Sequence, residues 1–263
     1  MVKILVASFN RASDGALEKL VKKMKRKKIW TDDENEANYI LACGDRTETF
    51  TFVLKMFRIN KKIIHLWAGE LTHAEDEDEV YRSTMTLMSE LQLCNNEKAK
   101  DRVAHLCEAV DKQPNAHVVG NVMLDNLKID ESKIPEGDYD LVLYNPPTRK
   151  TREEVINELN QIKNMLTDTP YMWIETNGDR GSELVMPYVT TETLPRPMFL
   201  GALKNCKRFI SNSSCIWYEA QFLLKPEQII PIGIRNTNRE SRESKMDIKN
   251  ASKNIMKTLE GLK

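Results

Sequence analysis

The chain has 263 residues, of which 39 are basic, 39 are acidic and 41% are hydrophobic. This balance is typical of a folded globular protein rather than a disordered one, and it creates no overall field that would attract nucleic acid. The apolar runs are strand-sized, far shorter than the about 20 residues needed to span a bilayer, and the first is too short for a signal peptide. Five cysteines without a CxxC pair or metal-ligand spacing predict reduced thiols, a cytoplasmic location and no bound metal.

The first half of the chain alternates short apolar strands with amphipathic helices. The strands are predicted at residues 3–8, 38–43, 62–66, 91–94 and 117–119, and the helices at 14–26, 47–58, up to about 90, and 96–110. This alternation is the parallel βαβ pattern. Arg11 then falls on the first βα turn, a usual place for a phosphate-binding side chain, although a surface loop arginine is the alternative. The acidic run at residues 74–79 is expected to be a solvated segment that leads into a helix.

A second α/β half follows a polar, turn-rich segment at residues 128–139, which we interpret as a linker. Its strands are predicted at residues 140–144, 171–175, 208–210 and 229–233, and its helices at 151–166 and 197–206. The tail from residue 240 to 263 is charged, with spaced apolar residues that indicate an amphipathic helix.

The stretch from Ser211 to Glu240 combines several groups that bind nucleotides. Ser213 and Ser214 fall at the start of a helix, where free N–H groups and the helix dipole favour an anion. Glu219 lies just over one turn deeper, where a carboxylate can accept from two ribose hydroxyls. Arg235 and Arg239 follow a strand at the end where open α/β sheets bind ligands. We interpret the stretch as a nucleotide diphosphate site, and an ordinary capped helix with surface arginines is the alternative.

Eight short motifs lie in a fixed order over most of the chain. In the first half they are NRAS at 10–13, GDR at 44–46, HLWAGE at 65–70, DEVYR at 78–82 and VVGN at 118–121 with Asp125. In the second half they are NGDRGS at 177–182, NSSC at 212–215 with Glu219, and IGIRNTNRE at 232–240. Each motif alone is weak, but their order resembles that of the UDP-N-acetylglucosamine 2-epimerase family. The similarity is closest to its hydrolysing branch, which serves sialic acid biosynthesis.

The resemblance implies an α/β fold of the GT-B type, with two Rossmann-like domains and the active site in the cleft between them. The domains would be residues 1–135 on the sugar and catalytic side and residues 136–240 on the UDP side. Residues 241–263 would form a helix that packs back on the first domain. The family would also imply a homodimer or homotetramer without a cofactor.

The resemblance also assigns roles to individual residues. The catalytic positions correspond to Asp45, Glu70 and Asp78. The UDP-contacting positions correspond to Arg11, Ser213, Ser214, Glu219 and Arg235, and Arg82 lies near the sugar. The remaining expected substrate-binding residues are Asn145, Asn177, Asp179, Ser182 and Arg239.

The implied reaction converts UDP-N-acetylglucosamine to N-acetylmannosamine and UDP. The C2 proton is weakly acidic, so a carboxylate with a raised pKa must remove it. Arginines and helix N-terminal N–H groups must neutralise the departing UDP. Hydration of the resulting glycal-like intermediate would give the free sugar. Which of the three carboxylates is the base and which the acid stays open.

Several sugar-side positions depart from the family pattern. Asn145 replaces a histidine and cannot titrate. Trp67 and Ala68 replace a small or polar residue and a glycine, and the first half lacks one or two βα units. Two alternatives therefore remain: a divergent UDP-sugar enzyme, either a non-hydrolysing epimerase or a glycosyltransferase, and a UDP-sugar-binding protein without turnover. Neither nucleic acid nor a membrane is expected as a partner.

Overall fold

The computed structural model describes residues 2–9, 11–71, 77–132, 134–147, 149–166, 169–176, 178, 180–234 and 250–262, with the side chains of 11–13 and 126 left aside. These residues divide into two compact units. The first contains the described residues up to Leu71, from Asp78 to Asn126 and from Asn250 onward, and the second those from Leu127 to Ile234. No helix in these ranges is long and apolar enough to cross a membrane.

The first unit is built on a parallel sheet of six strands in the order β2-β1-β3-β4-β5-β6. Its strands are β1 (Ile4–Ala7), β2 (Trp30–Thr31), β3 (Tyr39–Cys43), β4 (Lys62–Leu66), β5 (Leu91–Cys94) and β6 (Ala116–Val118). Its crossover helices are α1 (Arg11–Arg26), α2 (Thr47–Arg58), α3 (Glu77–Met88) and α4 (Glu97–Glu108), and a 3-10 turn follows at Val122–Asn126. Every residue of β3 is buried, as expected for a strand covered by helices on both faces.

For the first unit, one helix start was predicted wrongly and one strand was not predicted. Helix α1 begins at Arg11 rather than at residue 14, so Arg11 lies in the first helical turn and not in the preceding loop. The edge strand β2 was missed because two residues are too short to show a hydrophobic period. The helix predicted at 47–58 and the strand predicted at 62–66 are confirmed.

The second unit contains a parallel sheet of four strands in the order β10-β9-β7-β8. Its strands are β7 (Asp140–Leu143), β8 (Tyr171–Trp173), β9 (Arg208–Ser211) and β10 (Ile229–Pro231). Its helices are α5 (Arg152–Met165), α6 (Ser182–Val185), α7 (Arg196–Asn205) and α8 (Gln221–Leu223), the last preceded by a π-helical turn at Ile216–Ala220. A capping box formed by Thr151 and Glu154 starts α5.

Part of the predicted linker packs against α7. The Asp130 amide donates to the Pro197 carbonyl at 2.9 Å, and a Cβ at Gly201 would lie 2.2 Å from the Asp130 carbonyl oxygen. The Glu131 carboxylate accepts hydrogen bonds of 3.0 Å from both Lys204 and Asn205. These contacts explain why the division between the units follows Asn126.

The last described helix, α9 (Ala251–Leu259), belongs to the first unit. It packs against α1 and the 3-10 turn, with Ile255 and Leu259 buried. The Ser252 amide donates to the Asp125 carboxylate, and the Asn254 side chain donates to the Val119 carbonyl at 3.1 Å. The helix therefore attaches to the turn that follows β6.

Candidate active site

In the first unit, three segments converge on the guanidinium of Arg82 in α3. Its side chain is 3% exposed and forms an ion pair with Asp45, which follows β3, and a second with Glu79 at 2.7 Å. The same guanidinium donates to the Glu70 carbonyl, which follows β4, at 3.4 Å. Removing one partner of a buried ion pair typically costs about 3–5 kcal/mol, because the other charge is left uncompensated. Arg82 thus joins the strand ends that hold two of the expected catalytic carboxylates.

The three expected catalytic carboxylates differ in their surroundings. Asp45 is 24% exposed and touches Arg82, whereas the Glu70 side chain is buried, at 8% exposure. Asp78 is half-buried in the first turn of α3, next to Glu79. Sequence reasoning did not single out Glu79, although its position three residues before Arg82 on a predicted helix would have indicated an ion pair.

The turn that presents Glu70 is held from behind by α4. Gly69 has a φ of +74°, and a Cβ there would lie 2.0 Å from the Ala99 carbonyl oxygen. Arg102 of the same helix donates to the Gly69 carbonyl. Glycine is required here because both the backbone conformation and the close approach of α4 exclude a side chain.

His65 of β4 is a buried residue whose imidazole is neutral at neutral pH and links two elements. Its Nδ1 lies 2.9 Å from the Thr86 hydroxyl, which donates to the Arg82 carbonyl at 3.0 Å. Thr86 uses its one hydroxyl proton in the bond to the Arg82 carbonyl. The proton shared between His65 and Thr86 is therefore assigned to His65 Nδ1. Burial lowers the pKa of His65 to about 4, and the backbone of Gly44 acts in the opposite direction. The neutral imidazole therefore connects β4 with α3 beside Arg82.

In the second unit, Ser213 and Ser214 occupy the start of a helical segment, as predicted. Their carbonyls accept from the amides of Ile216 at 3.2 Å and Trp217 at 3.0 Å. The Ser211 hydroxyl donates to the Leu143 carbonyl at 2.6 Å and accepts from the Ser213 amide at 3.0 Å. The loop after β9 is thus fastened to the end of β7.

Asn145 and Asn212 form a second connection between the same two loops. The Asn145 amide donates to the Asn212 side-chain oxygen at 2.9 Å, and the Asn212 side-chain nitrogen donates to the Asn145 carbonyl at 2.7 Å. Both residues are buried. Asn145, the residue in place of the histidine of the family pattern, is thereby held beside the loop that contains Ser213 and Ser214, which we call the serine loop.

Glu219 is buried, at 2% exposure, and forms an ion pair with Arg196, the first residue of α7. Burial raises the pKa of Glu219 above its usual range, and the neighbouring Arg196 partly offsets this increase. Sequence reasoning missed Arg196, because an ion pair between residues 23 positions apart produces no local pattern.

The other expected site residues are described only in part. Ser182 starts α6, and its hydroxyl lies 3.2 Å from that of Thr176. Outside the described residues lie Asn177, Asp179, Arg235, Arg239 and the side chain of Arg11. Within the described ranges, no group of three or more His, Cys, Asp or Glu side chains is arranged to hold a metal ion.

The sequence pattern described as UDP-N-acetylglucosamine 2-epimerase matches residues 6–263. The chain belongs to this family. The resemblance inferred from the eight motifs is therefore confirmed, and the Arg82 cluster and the serine loop lie within the matched residues.

The curated relatives are longer than this chain. The polysialic acid biosynthesis protein P7 of Escherichia coli is 29% identical over 161 residues, which cover 57% of this chain and 41% of that protein. The UDP-N,N'-diacetylbacillosamine 2-epimerase (hydrolyzing) of Legionella pneumophila is 23% identical over 232 residues, 80% of this chain and 59% of that protein. This chain thus spans less than two thirds of the length of either.

Solved structures of UDP-N-acetylglucosamine 2-epimerases share the fold. The enzyme of Neisseria meningitidis bound to UDP-GlcNAc has a TM-score of 0.71 at 14% identity, covering 98% of this chain and 99% of that chain. The enzyme of Methanocaldococcus jannaschii in complex with UDP-GlcNAc and UDP has a TM-score of 0.60 at 16% identity, covering 96% and 82%. The expected α/β fold of the GT-B type, with parallel sheets, is confirmed.

Proposed function

We propose that this member of the UDP-N-acetylglucosamine 2-epimerase family is an enzyme of the hydrolysing type, which converts UDP-N-acetylglucosamine to N-acetylmannosamine and UDP. The observation that supports this most is the convergence of Asp45, Glu79 and the Glu70 backbone on the buried Arg82. Arg82 thereby joins the turns that carry the carboxylates of Asp45 and Glu70. A protein that only binds an anionic ligand has little use for such carboxylates. The relative from Legionella is also named as a hydrolysing enzyme.

The second unit would bind the UDP portion of the substrate. We assign the diphosphate to Ser213 and Ser214 at the start of the helical segment, and the ribose hydroxyls to Glu219. The further residues proposed for substrate binding are Arg11, Arg82, Asn145, Asn177, Asp179, Ser182, Arg235 and Arg239. The homodimer or homotetramer expected from the family stays a prediction.

The proposed chemistry has two stages. In the first, a carboxylate of Asp45, Glu70 or Asp78 takes the C2 proton, the C1–oxygen bond breaks, and its electron pair leaves with UDP. The new C1–C2 double bond then adds water. Hydroxide adds at C1, and a proton adds at C2 on the face opposite to the one from which the first proton was removed. Because the C2 hydrogen of the product comes from solvent, it reports directly on this mechanism.

The sugar specificity has a second candidate. The relative from Legionella is named for UDP-N,N'-diacetylbacillosamine, and Trp67 occupies a position in HLWAGE where the family often has a small or polar residue. UDP-N,N'-diacetylbacillosamine is therefore the second substrate to test. The divergent-enzyme alternative predicts a different product from either sugar, and the binding-protein alternative predicts no product.

The test is NMR of the purified protein with UDP-N-acetylglucosamine in heavy water. Free UDP together with N-acetylmannosamine deuterated at C2 is the expected result. UDP-N-acetylmannosamine without free UDP would indicate a non-hydrolysing epimerase. Binding of both UDP-sugars without turnover would contradict the proposed activity and favour a binding protein.

Variants of the three carboxylates test the site itself. Asp45→Asn, Glu70→Gln and Asp78→Asn are each expected to lower turnover, by about 10²–10⁴-fold for a residue that transfers a proton. Glu90→Gln serves as the control, since Glu90 is exposed and pairs only loosely with Lys62, at 3.6 Å. If all three variants turned over at the control rate, the assignment of the chemistry to this cluster would be wrong.

A further inference from the structure

Glu158 is a buried carboxylate that the proposed chemistry does not use. It lies on α5, at 7% exposure, where the Tyr144 hydroxyl donates to its Oε2 at 2.5 Å and Lys150 forms an ion pair with its Oε1. Tyr144 is fully buried, and the Lys150 side chain is 23% exposed. The carboxylate thus has one neutral donor and one charged donor, and neither belongs to its own helix.

The same carboxylate contacts the backbone of Gly233. A Cβ added at Gly233 would lie 2.1 Å from Glu158 Oε1 and 3.0 Å from its Cδ. Gly233 also has a φ of +63°, a conformation that side chains disfavour. Two features therefore favour glycine at this position. The backbone conformation disfavours a side chain, and a Cβ would overlap the Glu158 carboxylate.

These contacts connect two loops at the carboxyl-terminal edge of the second sheet. Tyr144 and Lys150 enclose the loop that follows β7, which contains Asn145. Gly233 follows β10, and in the sequence it stands two residues before Arg235. Asn145 and Arg235, which we propose for substrate binding, belong to these two segments of the sequence. Glu158, on α5, contacts Tyr144 and Lys150 on one side and Gly233 on the other.

Stability alone is a weak reason for such an ion pair. Replacing a buried ion pair by well-packed apolar residues is often neutral or stabilising, so a retained pair has to be explained by the geometry it imposes. Lys150 also compensates the negative charge of Glu158. Without this compensation, the carboxylate would repel the diphosphate that we propose to bind in this unit. The pair is thus suited to holding loop geometry without repelling an anionic ligand.

We propose that Glu158 is a positioning residue for nucleotide binding, which holds the loop after β7 and the backbone of Gly233 in the conformation that accepts UDP. This inference rests on the proposed function, because it requires that the second unit binds UDP. Glu158 acts through Lys150 and Gly233 and does not itself touch the ligand.

The experiment measures the Kd of UDP by calorimetry and the Tm of each variant of the full chain. Glu158→Gln removes the charge with little change of volume and leaves the partly exposed Lys150 solvated. Glu158→Gln combined with Lys150→Met removes both charges and serves as the second variant in case the first folds poorly. Each is expected to weaken UDP binding by about 10-fold or more, since loss of a residue that orients binding groups costs about 10- to 100-fold at metal sites. Asp140→Asn is the matched control, because it removes a buried ion pair with Arg208 at the opposite, amino-terminal edge of the sheet. It is expected to lower the Tm while the UDP Kd stays unchanged.

A glycine pair tests the backbone contact separately. Gly137 has a φ of +82° with no atom within 4 Å of an added Cβ, so Gly137→Ala measures conformational strain alone. Gly233→Ala is expected to weaken UDP binding while Gly137→Ala leaves it unchanged. In Gly233→Ala combined with Glu158→Gln, the loss of affinity should be smaller than the product of the two single losses, because both changes disturb the same contact.

The outcomes separate the two proposals. If the wild-type protein does not bind UDP, the proposed function is wrong. If it binds UDP and the Glu158, Lys150 and Gly233 variants bind equally well whatever their Tm, the carboxylate is purely structural and the positioning role is wrong. Weaker UDP binding in these variants, with unchanged binding in the Asp140 and Gly137 controls, would support both.

Discussion

At Glu219, burial and a neighbouring positive charge act in opposite directions on one carboxylate. Desolvation is the larger influence, so the pKa lies above its ordinary value of 4.5 even with Arg196 in contact. The folded protein therefore binds this proton more tightly than the unfolded chain does. The stability contributed by protonated Glu219 is present below pH 4.5 and is lost as the pH rises through the folded-state pKa.

Ribose binding is expected to show the opposite pH dependence. Only ionised Glu219 can accept from two hydroxyls and pair with Arg196, so affinity should fall as the pH decreases through the raised pKa. Calorimetry with uridine from about pH 8 to about pH 5 checks this, because uridine lacks the phosphate groups that titrate near about pH 6. Glu219→Gln should bind uridine more weakly at neutral pH and show a flat profile. A wild-type profile as flat as that of the variant would contradict the ribose role.

At the level of single elements, hydrophobic runs predict where a strand lies better than they predict where it ends. The run at 39–43 is buried on both faces and forms β3 over the same residues. The strand predicted at 171–175 ends at Trp173, because Ile174 forms only an isolated bridge with Thr191. Strand ends depend on which neighbour is available for hydrogen bonding, and that neighbour is distant in sequence.

Helix α9 provides a stability prediction for the first unit. Ile255 is fully buried against that unit, so Ile255→Ala is expected to lower the free energy of unfolding by about 2–5 kcal/mol. Lys253→Ala, an exposed position on the same helix, should change it by no more than about 0.5 kcal/mol. Urea denaturation of both variants measures the difference. Equal midpoints and slopes for the two variants would show that α9 adds little to this unit.

At the scale of the whole molecule, the residues proposed for catalysis and those proposed for UDP binding belong to different units. The Arg82 cluster belongs to the first unit, and the serine loop with Glu219 belongs to the second. Family membership follows from the match over residues 6–263, whereas the reaction itself is a proposal. The two parts can therefore be tested separately, one by turnover and one by UDP binding.

Hydrogen exchange tests the assignment of UDP to the second unit. A ligand at about 100 times its Kd stabilises the state that binds it by about 2.7 kcal/mol. Saturating UDP is therefore expected to slow amide exchange most in residues 211–223, the serine loop and the helical segment after it. Control peptides from α9 should change less. Protection concentrated in the first unit would contradict the assignment.

The sequence by itself determined the alternation of strands and helices, the α/β class, the family and the position of Ser213 and Ser214 at the start of a helix. These features depend on local periodicity, on turn residues and on motif order, all of which can be read along the chain. The tertiary structure alone decided the distant partners: Arg196 for Glu219, Asp45 for Arg82, and Gly233 for Glu158. These contacts join residues far apart in sequence. Their energies depend on burial and on distances of a few ångströms, which no local pattern encodes.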